Sequence, residues 1–75
     1  MKPRHEIRSH VREHRQRAGL TQEELAERIG VTRQTVLSIE KGNYTPSVAL
    51  ALRLAGVLGA PVEALFDLDT GGCDA

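Results

Sequence analysis

Apolar residues recur at helical spacing in two neighbouring segments near the middle of the 75-residue chain. Their positions follow i, i+1, i+4 in the first segment and i, i+3 in the second, which places each set on one helix face. Gly30 lies between the segments, where a residue with positive φ can end a helix and reverse the chain. The pattern therefore predicts two short helices joined at a sharp angle. Their apolar residues are Leu25, Ala26, Ile29, Val36 and Ile39.

Helix-start and helix-stop signals bracket this pair. Thr21 followed by Glu24 is a capping box, in which each side chain accepts a hydrogen bond from the backbone N–H of the other residue. Thr32 is typical of an N-cap without a reciprocal Glu, and Gly42 lies where a left-handed residue would close the second helix. The signals place both helices within residues 22–41 and leave a polar outer face on the second one.

An earlier segment predicts a further helix. Ser9 is typical of an N-cap, which predicts a helix over residues 10–18 that Gly19 ends. His10 and His14 have a spacing that can bind a metal, but without a nearby third ligand a packing histidine is favoured at position 14. No metal or other cofactor is therefore predicted. The residues expected to point inward, at i, i+3, i+4 and i+7, are Val11, His14, Arg15 and Ala18.

The second half of the chain predicts two more helices. Ser47 caps a helix that ends at Leu58 before Gly59, and Pro61 precedes a short fifth helix over residues 62–66. The Gly-rich tail is expected to be disordered beyond about residue 69. The predicted buried residues are Leu50, Ala51, Leu54, Ala55 and Leu58 in the fourth helix and Val62, Leu65 and Phe66 in the fifth.

Length and composition bound the class of protein. The chain has 3% aromatic content and predicts one domain with a small aliphatic core, for which self-association would add stability. Its parts are an N-terminal arm or strand (residues 1–8), a helical core (9–66) and a C-terminal segment or tail (67–75).

The lone Cys73 and the lack of a signal peptide or membrane span predict a cytoplasmic protein. No Ser/His/Asp, paired-carboxylate or Gly-rich phosphate motif indicates an enzyme.

The formal net charge of zero hides a division along the chain. Residues 1–46 carry nine Lys or Arg and six Asp or Glu, a net charge of +3, whereas residues 47–75 carry one Arg and four acids, a net charge of −3. The basic half contains the two-helix pair, an arrangement that can read the DNA major groove. Its modest charge predicts few phosphate contacts per chain and a shallow salt dependence.

The run from Val11 to Phe66 resembles the Cro/CI-type helix-turn-helix family, also called the Xre family, of bacterial and phage regulators. The resemblance rests on the GLTQEELA opening, the G-V-T turn, the RQT start of the third helix, the IE-x-G exit and the Y-x-P-S link into the fourth helix. It implies an all-α fold, the five-helix Cro/CI (lambda repressor-like) DNA-binding domain. Within the family the chain is most similar to the short single-domain members, which tend to be dimers.

The resemblance implies that the start of the third helix enters the major groove, with Arg33, Gln34 and Ser38 as base-reading residues. Arg can pair with guanine and Gln with adenine through two hydrogen bonds, each contact providing roughly 1–3 kcal/mol of discrimination. Arg33 can instead hold a phosphate, and the alternative for the whole set is a solvated helix surface. Leu37 departs from the small or polar residue usual there. It either touches a thymine methyl group or is an exposed leucine.

Other residues are candidates for contacts with the DNA backbone. Gln22 lies at the amino end of the second helix, where free backbone N–H groups and the helix dipole favour an anion, and family members use this residue on a phosphate. For Tyr44 the alternative is a ring that covers the start of the fourth helix. Family members also pair the residues matching Arg15 and Glu40 in a salt bridge between the first and third helices. The remaining phosphate candidates are Thr32, Thr35, Lys41, Asn43 and Tyr44.

The chain ends and the fourth helix carry the predictions on assembly. In some short family members an N-terminal strand pairs with a strand after helix five, which implies an antiparallel ribbon of residues 6–8 with residues 66–68. The alternative is a first helix that begins near Arg4 and a frayed tail. A stripe of small and apolar residues at positions 49, 52, 56 and 60 would let another surface approach closely; the alternative is a merely stable Ala-rich helix. The residues assigned to a dimer interface are Leu52, Gly56, Leu65, Phe66 and Leu68.

These features predict sequence-specific binding of double-stranded DNA by a homodimeric transcriptional regulator. The expected form is a repressor on a pseudo-palindromic operator whose half-sites lie one helical turn, ~34 Å, apart. The alternative is an antitoxin-type interaction module that neutralises a partner protein and binds DNA secondarily, because function depends on the site and not on the fold alone. No membrane or small-molecule partner is indicated.

Overall fold

The computed structural model describes residues 6–69, where five helices lie between two short strands. The predicted five-helix architecture with a small antiparallel ribbon is confirmed. None of these helices is long and apolar enough to cross a bilayer. His5, Cys73 and the tail beyond Asp69 lie outside the described residues. In chain order the elements are β1 (Glu6–Ser9), α1 (Val11–Arg17), α2 (Gln22–Ile29), α3 (Arg33–Lys41), α4 (Val48–Leu58), α5 (Val62–Leu65) and β2 (Phe66–Asp69).

Local capping signals set the ends of α2 and α3 as predicted. The Thr21 hydroxyl accepts from the backbone N–H of Glu24 at 3.0 Å, and the Glu24 carboxylate accepts from the backbone N–H of Thr21 at 2.8 Å. Hydrogen bonding to Thr21 lowers the pKa of the Glu24 carboxyl group. The bond from the Thr21 backbone N–H has the largest effect, and the bond with the Thr21 side chain has the next largest. Gly30 has a φ of +77°, so the chain reverses between the helices in a conformation that a side chain would strain.

The start and end of α1 differ from the prediction. Ser9 is not the N-cap: it is the last residue of β1, and His10 precedes the helix as its N-cap residue. The backbone N–H of His10 donates to the carbonyl of Leu65 at 2.7 Å. Because this bond joins His10 to the end of α5, α1 begins at Val11, one residue later than predicted. Because the helix ends at Arg17, Ala18 is its C-cap and is exposed instead of pointing inward.

The core forms where the five helices meet, and it is entirely aliphatic among the described residues. The one-turn helix α5 ends at Leu65, because Phe66 adopts an extended backbone and begins β2 instead of continuing the helix as predicted. The predicted inner face of α4 is confirmed, with Ala55 and Leu58 half-buried at its edge. The buried residues of the cluster are Val11, Leu25, Ala26, Ile29, Val36, Ile39, Leu50, Leu54 and Leu65.

The two strands form an antiparallel ribbon with Ile7 opposite Leu68 and Arg8 opposite Asp67. Ile7 therefore lies in a strand, and the alternative of a first helix that begins near Arg4 is wrong. The Asp67 carboxylate is 3.2 Å from His10 Nε2 and accepts from Arg8 Nε at 3.0 Å. Both hydrogen bonds hold the pKa of Asp67 below its ordinary value, and the bond with His10 has the larger effect. Since the partners are solvent-exposed, the ion pairs add little stability.

The ribbon lies against the C-terminal end of α3. Gly42 closes α3 with a φ of +79°, and a Cβ at this position would lie 3.1 Å from the carbonyl oxygen of Ile7. The positive φ and the close approach of β1 both favour glycine here. A two-stranded ribbon is marginal alone, so this contact with a helix is part of what stabilises it.

Candidate nucleic-acid interface

The first turn of α3 presents polar side chains to solvent. Arg33 and Gln34 are both exposed, and Thr32 caps the helix by accepting from the backbone N–H of Thr35 at 3.2 Å. The hydroxyls of Thr32 and Thr35 lie 3.1 Å apart, within hydrogen-bonding distance. The turn thus combines a guanidinium, an amide and two hydroxyls on a firmly capped helix start, the chemistry that base edges and phosphates require.

The other two candidate base-reading residues lie on the next turn of α3. Leu37 and Ser38 follow Gln34 at i+3 and i+4, the spacings that share a helix face. Both side chains are half-buried, so Leu37 is not the freely exposed leucine of the alternative interpretation. The structure therefore gathers the four residues on the first two turns of one helix.

An ion pair connects α1 to α3. Arg15 Nε donates to Glu40 Oε2 at 2.6 Å, and the two side chains are only 11% and 5% exposed. Arg15 Nη1 also donates to the carbonyl of Leu20 at 2.8 Å, so the same guanidinium holds the segment that leads into α2. If the two partners were separated, each charge would be poorly solvated and unpaired. The pair therefore favours the arrangement of α1 and α3 in which it can form.

The Glu40 carboxylate has a second partner that sequence reasoning missed. A side-chain N–H of Gln22 donates to Glu40 Oε1 at 3.2 Å. A glutamine amide carries two N–H donors, so this bond orients the group and leaves the second donor for an anion. Eighteen residues separate the partners in sequence, and no periodic signal connects them. Arg15, Glu40 and Gln22 thus form one chain of hydrogen bonds from α1 through α3 to the start of α2.

The remaining candidate phosphate residues lie at the end of α3 and in the loop that follows. Lys41, Asn43 and Tyr44 are all exposed. The backbone N–H of Asn43 donates to the carbonyl of Ser38 at 3.0 Å, which fixes the path of the chain as it leaves the helix. These side chains are therefore available to a ligand that approaches this end of α3.

A cleft of about 460 Å³ lies between α1, the start of α2 and α3. It brings together residues that were assigned to base reading, to phosphate binding and to structure. Arg12 is a further member that sequence reasoning missed, although its position three residues before Arg15 could have placed it on the same side of α1. The lining includes Arg12, Arg15, Gln22, Leu37, Glu40 and Lys41.

The residues assigned to a dimer interface divide into three groups by exposure. Leu52 and Leu68 are 59% and 60% exposed, and Gly56 is exposed, with open space where a Cβ would extend beyond its own helix. Phe66 is half-buried against the core. Leu65 is fully buried within the chain, so its assignment to the interface is corrected: its side chain belongs to the core and cannot reach a partner.

Two other residues have roles that the structure makes plain. His14 is half-buried, and its Nδ1 lies 3.0 Å from the carbonyl oxygen of His10, which corresponds to a hydrogen bond within α1. Among the described side chains, those of residues 7–68, no group of three or more His, Cys, Asp or Glu is placed to hold a metal ion. Arg53 of α4 donates to the carbonyl of Ile29 at 3.3 Å and so holds the C-terminal end of α2; sequence reasoning missed this contact.

Comparison with known proteins agrees with this geometry. A helix-turn-helix family model matches residues 11–65. An uncharacterised HTH-type transcriptional regulator of Methanothermobacter thermautotrophicus is 57% identical over 67 residues, which cover 88% of this chain and 97% of that protein. The cryptic phage CTXphi transcriptional repressor RstR of Vibrio cholerae is 39% identical over 63 residues, which cover 83% of this chain and 57% of that protein.

Solved structures show the same fold. The restriction-modification controller protein C.AhdI of Aeromonas hydrophila matches with a TM-score of 0.65 and 36% identity, over 71% of this chain and 80% of that one. The clp gene regulator ClgR of Corynebacterium glutamicum matches with a TM-score of 0.67 and 31% identity, over 72% of this chain and 57% of that one. The chain therefore belongs to the Cro/CI-type helix-turn-helix family of DNA-binding transcriptional regulators, and it is not an enzyme.

Proposed function

We propose that this protein is a homodimeric repressor that binds a pseudo-palindromic operator in double-stranded DNA. The observation that carries the proposal is the exposed first turn of α3, where Arg33 and Gln34 face solvent on a helix whose position the Arg15–Glu40 ion pair constrains. Repression, by occlusion of a promoter, is supported by the similarity to a relative that is named a transcriptional repressor. The proposed site of action is the cytoplasm, because the relatives described above are proteins of prokaryotes, whose DNA lies there.

Base reading is assigned to α3. Gln34 pairs with an adenine, Arg33 pairs with a guanine or holds the adjacent phosphate, and Ser38 contacts the next base along the groove. Leu37 contacts a thymine methyl group. Its position three residues after Gln34, on the same face of α3, supports this contact.

Phosphate contacts position the helix without reading sequence. Gln22 is the best supported, because its bond to Glu40 orients an amide whose second N–H is unused by that bond. Two hydroxyls at the start of α3, and the exposed side chains at its end and in the loop that follows, complete the set. These residues are Thr32, Thr35, Lys41, Asn43 and Tyr44.

The proposed dimer interface consists of the exposed apolar positions Leu52 and Leu68 with Gly56 and Phe66 beside them. Leu52→Glu or Leu68→Glu should leave the monomer folded and raise the dimer dissociation constant by roughly 100-fold or more. The reason is that each interface would then bury two unpaired carboxylates, one from each copy, at a cost of several kcal/mol. Sedimentation equilibrium measures the change.

Ala18→Glu is the control for this prediction. Ala18 lies at the C-terminal end of α1, is exposed and is not assigned to the interface, so an apolar-to-acidic change there should leave the dimer constant unaltered. The interface assignment is wrong if the variants at positions 52 and 68 dimerise like the parent, or if Ala18→Glu dissociates the dimer as much as they do.

The function itself is tested by selection of bound duplexes from a random DNA pool. The expected product is a pseudo-palindromic sequence with half-sites one helical turn, ~34 Å, apart, because two copies of α3 would enter successive major grooves on one side of the duplex. Enrichment of a single half-site would argue against the dimer. If no sequence is enriched, the proposal of sequence-specific binding fails.

A further inference from the structure

The cleft between α1, α2 and α3 holds more positive charge than its internal ion pair uses. Arg15 is committed to Glu40 at 2.6 Å. Arg12 and Lys41 line the same cleft, and neither forms an ion pair with a carboxylate of residues 7–68, whose side chains the structure describes. The cleft therefore carries two cations in excess of its carboxylate, and Arg12 and Arg15 are like charges three residues apart on the same helix. An anion in this cleft would relieve that repulsion.

The excess charge lies beside the helix face that is proposed to read DNA. Gln34, Leu37 and Lys41 follow i, i+3 and i+7 along α3 and so share one side of it. Leu37 and Lys41 line the cleft directly, and Gln22 lies on its opposite wall at the start of α2. A DNA strand that borders the groove occupied by α3 would pass this cleft, because the sugar–phosphate backbone forms the edge of the major groove.

The opposite side of α1 provides a contrast in charge. Arg17 lines a second cleft of about 370 Å³, together with the acidic residues Glu13, Glu63 and Asp67. A phosphate would be repelled there. The two arginines thus have the same chemistry on one short helix, but the structure places Arg12 in a cationic cleft and Arg17 in an acidic one.

We propose that Arg12 binds a DNA phosphate, which makes the outer face of α1 a third DNA-contacting element beside α2 and α3. This inference rests on the proposed function. The guanidinium offers several N–H donors in a planar fork that matches phosphate geometry. The contact positions α3 in the groove and carries no sequence information of its own.

The experiment compares Arg12→Ala with Arg17→Ala, the matched control on the same helix. Affinity for a mixed-sequence duplex two helical turns long is measured by fluorescence anisotropy at several salt concentrations. Arg12→Ala should weaken binding roughly tenfold per protomer, the loss expected for one hydrogen bond to a charged group. The slope of log K against log [salt] should become shallower by ~0.9 for each phosphate that the variant no longer neutralises. Arg17→Ala should change neither quantity appreciably.

Each result has a distinct meaning. Equal losses of affinity for a selected operator and for the mixed-sequence duplex support a phosphate contact. If Arg12→Ala instead removes discrimination at one base position of the operator, Arg12 reads a base and the inference is overturned. The inference also fails if Arg12→Ala binds with the affinity and salt slope of the parent, or if Arg17→Ala weakens binding as much. A parent protein that binds no duplex would instead refute the proposed function. Thermal unfolding of both variants confirms that the fold survives.

Discussion

Glu40→Gln should lower the free energy of unfolding by about 3 kcal/mol, the typical cost of breaking a buried ion pair by removal of one partner. The change keeps the size and shape of the side chain but leaves the guanidinium of Arg15 without a counter-charge at a site where it is 11% exposed. It also weakens the acceptor for the Gln22 amide. For a domain of this size the loss corresponds to a fall in Tm on the order of 15 °C. Chemical denaturation followed by circular dichroism measures the free energy, and a thermal melt measures Tm.

Two further variants isolate the ion pair from other effects of the substitution. Glu27→Gln makes the same change at an exposed position of α2 and should alter stability by less than about 0.5 kcal/mol. The double variant Arg15→Met with Glu40→Leu should be more stable than either single variant, because it removes both charges together. If Glu40→Gln unfolds at the same denaturant concentration as the parent, the pair does not hold α3 in place.

Gln34→Ala should abolish discrimination at one base pair of each operator half-site. A bidentate contact between glutamine and adenine contributes roughly 1–3 kcal/mol, so a dimer without two of them should bind its operator about 30-fold to 20,000-fold more weakly. The position is exposed and helical, and alanine is a strong helix former, so the fold should survive. Band-shift titrations on the selected operator and on its single-base variants measure the effect.

Gln16→Ala is the control for this substitution. It makes the same change at an exposed position of α1 whose side chain does not line the cleft, and it should leave the base preference intact because it is not on α3. Should Gln34→Ala retain the affinity and the base preferences of the parent, α3 does not read the groove through this residue.

Most helix boundaries were predictable because they depend on residues that are neighbours in sequence. The capping box of Thr21 and Glu24 and the left-handed glycines at positions 30, 42 and 59 act within one turn of the helix they bound. The helices α2, α3 and α4 are each two turns long or more, enough for their apolar residues to define which face is buried. The ribbon followed from the family resemblance and not from these local signals.

The wrong predictions concern contacts between distant parts of the chain. The start of α1 is shifted by a hydrogen bond from His10 to Leu65, and no local signal near Ser9 reports it. Leu65 itself was predicted both as a buried residue and as part of a dimer interface, because so short a helix does not define by periodicity which face is buried. Its complete burial within the chain confirms the first prediction and corrects the second.

In the candidate site, too, the residues that depend on local pattern were predictable, and the contacts between distant residues were not predictable from local pattern. The exposed positions of α3 follow from the helical pattern, since they are what remains when Val36 and Ile39 point inward. The pairing of Arg15 with Glu40 came from the family resemblance, because residues 25 apart in sequence have no spacing relation. The Gln22–Glu40 bond and the cleft that contains Arg12 depend on how three helices converge, which required the structure.

Whether this chain reads DNA sequence through α3 is decided most simply by a ratio of two affinities. The parent protein is titrated at one fixed salt concentration onto its selected duplex and onto a duplex of the same length and composition with the base pairs shuffled. We expect at least about 10³-fold tighter binding to the selected duplex, the lower end of the range for specific regulators. Equal affinity for the two duplexes would mean that the helix does not read base sequence.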